Sequence, residues 1–536
     1  MAAAAFLFGV AVQAALSAAS RPCSPDSFRD ALPPSASVLS AVSVANGGQF
    51  GEGAANLPYP TSPTNLPELC AVIVNVSSSA ISNYRFGLFL PTQWNSRFLA
   101  VGNGGFAGGI NWLDMGAGVR YGHAVVSTDT GHNSTSGDLT WALNNEERKI
   151  DFGYRAMHGS VTLGKKLVEA YYEKKITYSY YSGASTGGRQ GLKEAQISPD
   201  SFDGLVVGAP AWYTSHLQTW STRVGVRNLP VSDKKHVNAS LFSVIGEEVI
   251  RQCDGKDGLK DGIVSRPDKC NFSLKPLLCS SRGANKSACL TKEQAETVQS
   301  FYGDYYAEGK FAFPGLELSS ESQWAFLLGG SAPSSYGDGY IQYFLYNDPS
   351  WHWEQFNDSI VWQADAADPG NCTADDYDMT AVKESGAKIL LYHGMADALI
   401  PQRSSDVLYE RIAASMGGVG ALQSWFRYFL VPGMQHVTGT AVDAPWYFAG
   451  PNSQARLGTA VYSTPGFEDA RHDALLAMMA WVENGTAIDE LVATTWKDSS
   501  DPSSGVLRQR PICPYPKRQT YRGRGNPDVP ESFFCK

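Results

Sequence analysis

The segment ITYSYYSGASTGGRQGL, residues 176–192, carries the strongest structural signal in the chain. Its first part is rich in aromatic residues and is typical of a strand ending at Ser182, and a glycine-rich helix begins near Gly187. Between them lies the only Gly-x-Ser-x-Gly motif of the sequence. A strand, a tight glycine turn and a helix in this order predict a nucleophile elbow that holds the hydroxyl of Ser185 outward. An ordinary glycine-rich turn between a strand and a helix is the alternative.

A serine hydroxyl becomes a nucleophile only when a base removes its proton and a carboxylate orients that base. In α/β-hydrolases the acid and then the histidine follow the serine along the chain. Asp397 comes just after the predicted strand 387–392, and His436 comes just after the predicted strand 425–431. Both lie at carboxyl ends of strands, where such sheets collect their active sites. We therefore predict Ser185, Asp397 and His436 as a catalytic triad.

The other candidates for these roles fit less well. His393 occupies the end of a strand beside Asp397 and is predicted to be a buried structural residue. His158 lies within a helical pattern, where packing is the usual role. Asp406 is the rival acid, on the helix after Asp397, and we expect it to be solvated.

An acyl-transfer site also needs N–H donors for the developing oxyanion. One donor is predicted at Thr186, the residue after the nucleophile. The second is predicted in the glycine loop after the strand 97–101, at Gly104 or Gly105. We take Gly105 as the candidate, although the loop sequence does not distinguish the two glycines.

The chain predicts an α/β-hydrolase fold with a large inserted lid. From about residue 84, short apolar strands alternate with helical segments, and the strands 84–90 and 97–101 are expected to be adjacent. Between about 211 and 372 this alternation is lost, and five of the nine cysteines occur there. The predicted parts are a signal peptide at 1–19, the first part of the catalytic domain at 20–210, the lid at 211–372 and the second part of the catalytic domain at 373–536.

Composition restricts the compartment and the partners. Lys and Arg number 43 against 52 Asp and Glu, so the acidic chain, which has no long basic run, is not expected to bind nucleic acid. No apolar stretch of membrane-spanning length follows the N-terminus. The apolar, alanine-rich residues 1–19 predict a secretory signal peptide. Glycosylation motifs, which suit a secreted protein, occur at Asn75, Asn133, Asn238, Asn271, Asn285, Asn357, Asn371 and Asn484.

The nine cysteines include no Cys-x-x-Cys pair, which argues against a zinc ribbon or a thioredoxin-type site. In an oxidising compartment disulfides are expected, and an odd count leaves at least one thiol without an intramolecular partner. Local spacing suggests the pairs Cys253–Cys270, Cys279–Cys289 and Cys513–Cys535.

The loop CDGKDGLKDGI, residues 253–263, places three carboxylates among glycines, at Asp254, Asp257 and Asp261. Tight turns at the glycines allow these oxygens to converge on one hard cation. The spacing differs from that of an EF-hand, whose ligands recur at every second residue. A solvated acidic turn is the alternative.

Several segments in combination resemble the fungal tannase/feruloyl esterase family, from about residue 23 to the C-terminus. The segments are DFGYRAMH (151–158), GASTGGRQ (183–190), FDGLVVGAPA (202–211), HGMADALIP (393–401) and VPGMQH (431–436). The resemblance implies an α/β-hydrolase with a large lid that hydrolyses esters of phenolic acids. It also implies structural calcium in the lid, held by the carboxylates of Asp254, Asp257 and Asp261 and the backbone oxygens of Leu259 and Ile263. The disulfides that it implies are Cys23–Cys70, Cys253–Cys270, Cys279–Cys289 and Cys513–Cys535.

The sequence departs from the family at one pair of positions. The family usually has cysteines directly before the serine and directly after the histidine, joined as a disulfide. Here the two positions hold Ala184 and Val437. Both cysteines are absent together, so hydrolysis is expected to persist, while heat tolerance and substrate preference are put in doubt.

The resemblance favours a secreted serine esterase acting on feruloyl or related hydroxycinnamoyl esters of plant cell-wall polysaccharides, with no organic cofactor. A tannase acting on galloyl esters is the closest alternative. A non-catalytic extracellular protein that binds phenolics or glycans is an alternative of another class. A pocket for ferulate should be deeper and more apolar than one for gallate. Aromatic residues of the predicted lid mildly favour ferulate, although they also suit a lid core: Trp324, Phe326, Trp351, Trp353 and Trp362.

Overall fold

The computed structural model describes residues 20–283 and 285–536. The predicted signal peptide therefore lies outside the described residues. The strands are β1 (Ala36–Val44), β2 (Leu69–Ser77), β3 (Asn83–Pro91), β4 (Arg97–Val101), β5 (Ala124–Thr128), β6 (Tyr178–Ala184), β7 (Gly204–Gly208), β8 (Tyr305–Ala307), β9 (Lys310–Phe313), β10 (Lys388–Gly394), β11 (Phe426–Val431), β12 (Leu491–Asp498), β13 (Asp501–Ile512), β14 (Gln519–Tyr521) and β15 (Phe533–Cys535).

Helices connect the strands from β4 to β12, except for the hairpin β8–β9. They are α1 (Trp112–Val119), α2 (Glu146–Ile150), α3 (Ala156–Tyr172), α4 (Thr186–Ile197), α5 (Thr214–Arg227), α6 (Phe242–Cys253), α7 (Lys292–Tyr302), α8 (Ala325–Leu328), α9 (Ser335–Gly339), α10 (Ile360–Ala367), α11 (Thr380–Glu384), α12 (Arg403–Ser415), α13 (Val419–Leu422), α14 (Gln454–Leu457) and α15 (Ala474–Asn484). A π-helical turn, Asp151–Arg155, joins α2 to α3.

A nine-stranded sheet in the described chain has the order β1-β2-β3-β5-β4-β6-β7-β10-β11. Strands β1, β2, β3 and β5 pair antiparallel, whereas β5, β4, β6, β7, β10 and β11 pair parallel. The helical connections between parallel strands lie on both sides of the sheet, so both of its faces are covered. One apolar cluster includes residues of α3, α4 and α12, and another includes residues of α1, α15 and β12. The predicted α/β class is confirmed.

The sequence identified most of the parallel strands but not their arrangement at one edge. The two strands expected to be adjacent, β3 and β4, are separated in the sheet by β5. Strands β1 and β2 and the C-terminal strands β12 to β15 were not predicted. No helix separates β2 from β3, so the alternation that reveals α/β structure is absent from this part of the sequence.

The chain between β7 and β10 contains α5 to α11 and the antiparallel hairpin β8–β9. Helices α5, α6 and α7 contribute to one apolar cluster, which includes the fully buried Trp324. A second cluster joins α10 to Phe106 and Phe152 of the catalytic part. This stretch covers the carboxyl ends of the parallel strands, while the exact lid boundaries at 211 and 372 stay a prediction.

All four expected disulfides are present: Cys23–Cys70, Cys253–Cys270, Cys279–Cys289 and Cys513–Cys535. The remaining cysteine, Cys372, is a buried free thiol. None of the eight glycosylation motifs has a buried asparagine, and seven of these asparagines are exposed, Asn75 being half-buried. Within the described residues, no helix is both long enough and apolar enough to cross a membrane.

Candidate active site

Ser185 occupies a sharp turn between β6 and α4. Its backbone has φ 60° and ψ −124°, a conformation that is strained for any residue with a side chain. The turn is held by the N–H of Ser185, which donates to Gly208 O at 2.8 Å. A Cβ atom on Gly183 would lie 2.7 Å from Gly187 O, so this turn requires glycine two residues before Ser185. The structure therefore contains the nucleophile elbow that the sequence predicts.

The three residues predicted as a triad form one hydrogen-bonded chain. Ser185 Oγ lies 3.0 Å from His436 Nε2, and His436 Nδ1 lies 2.7 Å from Asp397 Oδ2. Asp397 follows β10 and His436 follows β11, and these strands are neighbours in the sheet. The tertiary structure thus brings together three side chains that the sequence separates by up to 251 positions.

The environment of Asp397 keeps its carboxylate ionised. Its side chain is fully buried, and Oδ1 accepts the backbone N–H groups of Leu399 at 2.8 Å and Ile400 at 3.0 Å. Burial by itself would raise the pKa of Asp397. The charge of His436 and hydrogen bonds from His393 and His436 outweigh burial and hold this pKa well below its ordinary value.

His393 is fully buried, as predicted, and it also contacts the site. Its Nε2 lies 3.1 Å from Asp397 Oδ2, and its Nδ1 lies 2.7 Å from Ser405 Oγ. The prediction for Asp406 is wrong, because its half-buried carboxylate accepts hydrogen bonds from Tyr428 and Gln402. Asp406 lies on α12 and takes no part in the hydrogen-bonded chain of Ser185, His436 and Asp397.

The glycine loop after β4 lies against the start of α4. A Cβ atom on Gly187 would come within 2.9 Å of Asn103 O, so the loop and the helix are in direct backbone contact. The N–H of Gly104 donates to Tyr59 Oη at 3.0 Å. By contrast, the N–H groups of Gly105 and Thr186 have no acceptor within residues 20–283 and 285–536. The tyrosine contact thus favours Gly105 over Gly104 as the second oxyanion donor, although both assignments stay predictions.

A cavity of about 420 Å³ opens beside Ser185 and His436. Its wall is mostly apolar and combines the catalytic part with the lid: Leu57, Pro58, Ala107, Ala211, Leu217, Phe326, Leu327, Leu399, Ile400 and Val437. Of the five lid aromatics that favoured ferulate, only Phe326 lines this cavity. Trp324 is fully buried in the lid core and Trp351 is buried in another cluster. The core interpretation is therefore correct for these two tryptophans, and the apolar wall comes largely from aliphatic residues.

One lid residue contacts both loops that carry the acid and the base. Gln323 Oε1 accepts the backbone N–H of His436 at 3.2 Å and that of Ala398 at 3.3 Å. The adjacent Ser322 accepts a hydrogen bond from Gln435 Nε2 at 2.9 Å. The sequence carries no signal for these contacts, because a glutamine in an irregular segment has no distinctive pattern.

Comparison with known proteins identifies the family. The model for "Tannase and feruloyl esterase" matches residues 70–335 and 346–536. The chain belongs to the tannase and feruloyl esterase family. It is similar to a probable feruloyl esterase B-2 of Aspergillus terreus, with 35% identity over 89% of this chain and 87% of that protein. Membership of this family makes the chain a carboxylic ester hydrolase.

Solved structures of the tannase and feruloyl esterase family share the fold. The crystal structure of feruloyl esterase B from Aspergillus oryzae matches with a TM-score of 0.87 and 32% identity, covering 96% of this chain and 99% of that one. Tannin acyl hydrolase from Aspergillus niger matches with a TM-score of 0.74 and 22% identity, covering 96% and 95% of the two chains. The second likeness concerns the fold alone.

At the positions where the family resemblance implies a disulfide, apolar side chains replace it. Ala184 and Val437 pack together with Ala209 in a small buried cluster. Val437 has φ 55°, which is strained for a β-branched residue. The residue after the histidine is therefore held in its conformation by packing and by neighbouring backbone contacts.

The loop expected to bind calcium offers only oxygen ligands, which suits a hard cation. Asp254 Oδ1 accepts backbone N–H groups of Asp261 and Gly262, each at 3.1 Å. Burial and the nearby charge of Asp261 raise the pKa of Asp257. Asp261 Oδ2 also accepts a hydrogen bond from Arg510 at 2.8 Å. Throughout residues 20–283 and 285–536, no group of three or more acidic, His or Cys side chains is arranged around one metal position, so calcium stays a prediction.

Proposed function

We propose that the protein is a secreted serine esterase that hydrolyses feruloyl and related hydroxycinnamoyl esters of plant cell-wall polysaccharides. The observation that carries this proposal is the hydrogen-bonded chain from Ser185 through His436 to Asp397, which opens on an apolar cavity. Relatives named as probable feruloyl esterases support the phenolic ester as substrate.

In the proposed mechanism, Ser185 Oγ attacks the ester carbonyl carbon while His436 Nε2 takes the hydroxyl proton. Asp397 accepts the Nδ1–H of His436, fixes its tautomer and stabilises the imidazolium. His436 then gives the proton to the leaving alkoxy oxygen, and the alcohol departs from the acyl-enzyme. Water attacks the acyl-enzyme with His436 again as base, which releases the phenolic acid and restores Ser185.

The negative charge on the carbonyl oxygen needs donors that are in place before the reaction. The N–H groups of Thr186 and Gly105 are the proposed donors. Their proximity to Ser185 on the cavity wall and their lack of another acceptor support this role. The start of α4 adds the favourable end of its helix dipole.

Substitution of the nucleophile tests the proposal. Ser185→Ala should lower kcat for methyl ferulate by about 10⁴-fold or more while the fold survives. A fluorophosphonate should label wild-type protein at Ser185 and leave the variant unlabelled. A folded Ser185→Ala variant with near-wild-type turnover would remove the triad assignment, and absence of both labelling and turnover in wild type would favour the binding-protein alternative.

A tannase activity on galloyl esters is the second candidate, because the family includes both activities. The mostly apolar cavity favours ferulate, since gallate carries three hydroxyl groups on a ring joined directly to the carboxyl group. We expect a higher kcat/KM for methyl ferulate than for methyl gallate. The opposite order would make tannase the correct function.

Secretion is part of the proposal. Four disulfides and exposed glycosylation motifs suit an oxidising, extracellular compartment. Expression in a eukaryotic host should release the protein into the medium, with an N-terminus near residue 20 and a mass that falls on enzymatic deglycosylation. A protein that stays associated with the cells and keeps residues 1–19 would contradict the proposed secretion.

We also propose one structural calcium ion in the lid loop. Its ligands would be the carboxylates of Asp254, Asp257 and Asp261 and the backbone oxygens of Leu259 and Ile263. The oxygen-only donor set of the loop supports this assignment. The ion would stabilise the lid and take no part in ester chemistry.

Metal analysis and a matched pair of variants test the calcium site. Protein purified without chelator should contain one calcium per chain, and chelation should lower its melting temperature. Asp257→Ala should abolish that response with a smaller effect on kcat. Asp268→Ala is the control, because Asp268 lies nearby but forms an ion pair with Arg266. A wild-type protein that contains no calcium would leave only a solvated turn.

A further inference from the structure

The active-site cavity contains a buried amide that no protein group satisfies. Gln218 lies on the lid helix α5 and is 7% exposed, and it lines the same cavity as Ser185 and His436. Its side-chain amide has no hydrogen-bond partner among residues 20–283 and 285–536, since the side-chain bond that Gln218 receives goes to its backbone oxygen. The amide faces the open space of the cavity, so both its acceptor and its donor are available to a ligand.

The neighbours of Gln218 define what kind of ligand group it faces. On the same helix, Leu217 and Ser221 also line the cavity, and α8 supplies Phe326 and Leu327. Ser221 Oγ donates to the backbone oxygen of Gln218 at 2.9 Å, so its proton is already engaged within α5. The lid wall therefore combines apolar side chains with the free amide of Gln218 and the side chain of Tyr336, which suits an aromatic ring bearing a polar substituent.

We infer that Gln218 recognises the hydroxyl on the aromatic ring of the acyl group, which makes it a specificity-determining residue for 4-hydroxycinnamoyl esters. This inference rests on the proposed function. A phenolic hydroxyl both donates and accepts, and an amide offers a matching acceptor in Oε1 and donor in Nε2. The free amide of this wall meets one such hydroxyl, whereas the three hydroxyls of a galloyl ring would leave polar groups against leucine and phenylalanine.

The alternative source of the same chemistry is a hydroxyl of the sugar in the leaving alcohol. Methyl esters separate the two, because methanol as leaving group carries no further hydroxyl. If Gln218 contacts the acyl ring, its effect persists in methyl esters and depends on the ring hydroxyl. If it contacts the sugar, substitution has no selective effect in methyl esters.

The experiment measures kcat/KM of the full-length enzyme on methyl cinnamate and methyl 4-hydroxycinnamate. Wild type should prefer the hydroxylated ester by about 10-fold or more, because a polar group left unpaired in the site penalises the analogue that lacks the hydroxyl. Gln218→Met, which keeps the length of the side chain, should lower kcat/KM on the hydroxylated ester by about 10- to 100-fold. Its kcat/KM on methyl cinnamate should stay within about threefold of wild type or rise, because the amide is no longer left unpaired.

Arg227→Ala is the control on the same helix. Because Arg227 is exposed at the end of α5 and does not line the cavity, this change should leave the ratio of the two kcat/KM values unaltered. Equal losses on both esters in a folded Gln218→Met variant would overturn the inference while the proposed esterase function stands.

The wild-type ratio gives a second measurement that needs no variant. Equal kcat/KM values of wild type for the two esters would overturn the inference even if Gln218→Met does not fold. Failure of wild type to hydrolyse any cinnamoyl ester would overturn the proposed function and the inference together.

Discussion

A disulfide introduced beneath the active site should stabilise the protein substantially. Ala184 directly precedes Ser185, and Val437 directly follows His436. Their side chains are in contact with Ala209 in one buried cluster. We expect Ala184→Cys combined with Val437→Cys to form a disulfide, because the hydrogen bond between Ser185 and His436 keeps the two chain segments together.

The size of the effect follows from the length of the loop that the bridge would close. The native disulfides span 47, 17, 10 and 22 residues, so all are local and none crosses the lid insertion. A bridge between positions 184 and 437 would close a loop of roughly 250 residues, which restricts the unfolded chain by about 5 kcal/mol on the loop-entropy estimate. Spread over the unfolding entropy of a chain of roughly 500 residues, this corresponds to a rise of about 5 °C in melting temperature.

Thiol titration under denaturing conditions and thermal melts check this prediction together. Wild type should show one thiol, from Cys372, and the double variant should also show one. Each single variant should show two thiols and no comparable rise in melting temperature. A double variant with three thiols under oxidising conditions would show that the positions are too far apart. That result would count against the placement of His436 beside Ser185.

Three further changes test the site and its surroundings. Asp397→Asn should lower kcat by about 10⁴-fold, because an amide favours the wrong tautomer of His436; Asp406→Asn, the rival acid, should stay near wild type in a steady-state assay. Gln323→Leu should lower kcat by about 10-fold, since it removes the oxygen that accepts the backbone N–H of His436, whereas Gln323→Glu keeps an acceptor and should recover most of the loss; an equal loss in both would contradict this role. Burial raises the pKa of Asp114 from 3.8 to about 7, so the folded state keeps a proton that the unfolded chain releases. The contribution of Asp114 to stability should therefore fall as the pH rises from about 4 to 7, so Asp114→Asn should be more stable than wild type at pH 7 but similar at pH 4 in denaturant titrations.

The parallel strands and the hydrogen-bonded contact of Ser185, His436 and Asp397 were predictable because each leaves a local signal. A buried parallel strand is a short apolar run, and an elbow needs glycine on both sides of Ser185. Asp397 and His436 were predicted from their order and from their position after such strands. The outer strands on one side of the sheet, β1 and its neighbour β2, were missed because no helix separates β2 from β3. The order β3-β5-β4 was missed because it depends on hydrogen bonding between segments that are distant in the sequence.

The contacts between the lid and the catalytic part left no trace in the sequence. Gln323 and Gln218 are ordinary polar residues in their own segments. Gln323 matters because it accepts the backbone N–H of His436, and Gln218 matters because it lines the cavity. The aromatic residues of the lid did carry a signal in the sequence, but that signal was ambiguous. An aromatic-rich segment is equally typical of a ligand pocket and of a core, and only the burial of each residue in the structure distinguishes the two.

By itself, the sequence determined the α/β class and the family and predicted Ser185, Asp397 and His436 as a triad, because strand patterns, glycine turns and motif order are properties of neighbouring residues. The tertiary structure alone decided which donor of the glycine loop is free, how Ala184 meets Val437 and which lid residues line the cavity. These depend on distances between segments far apart in the chain, which are set only when the two faces of the sheet and the lid pack against one another.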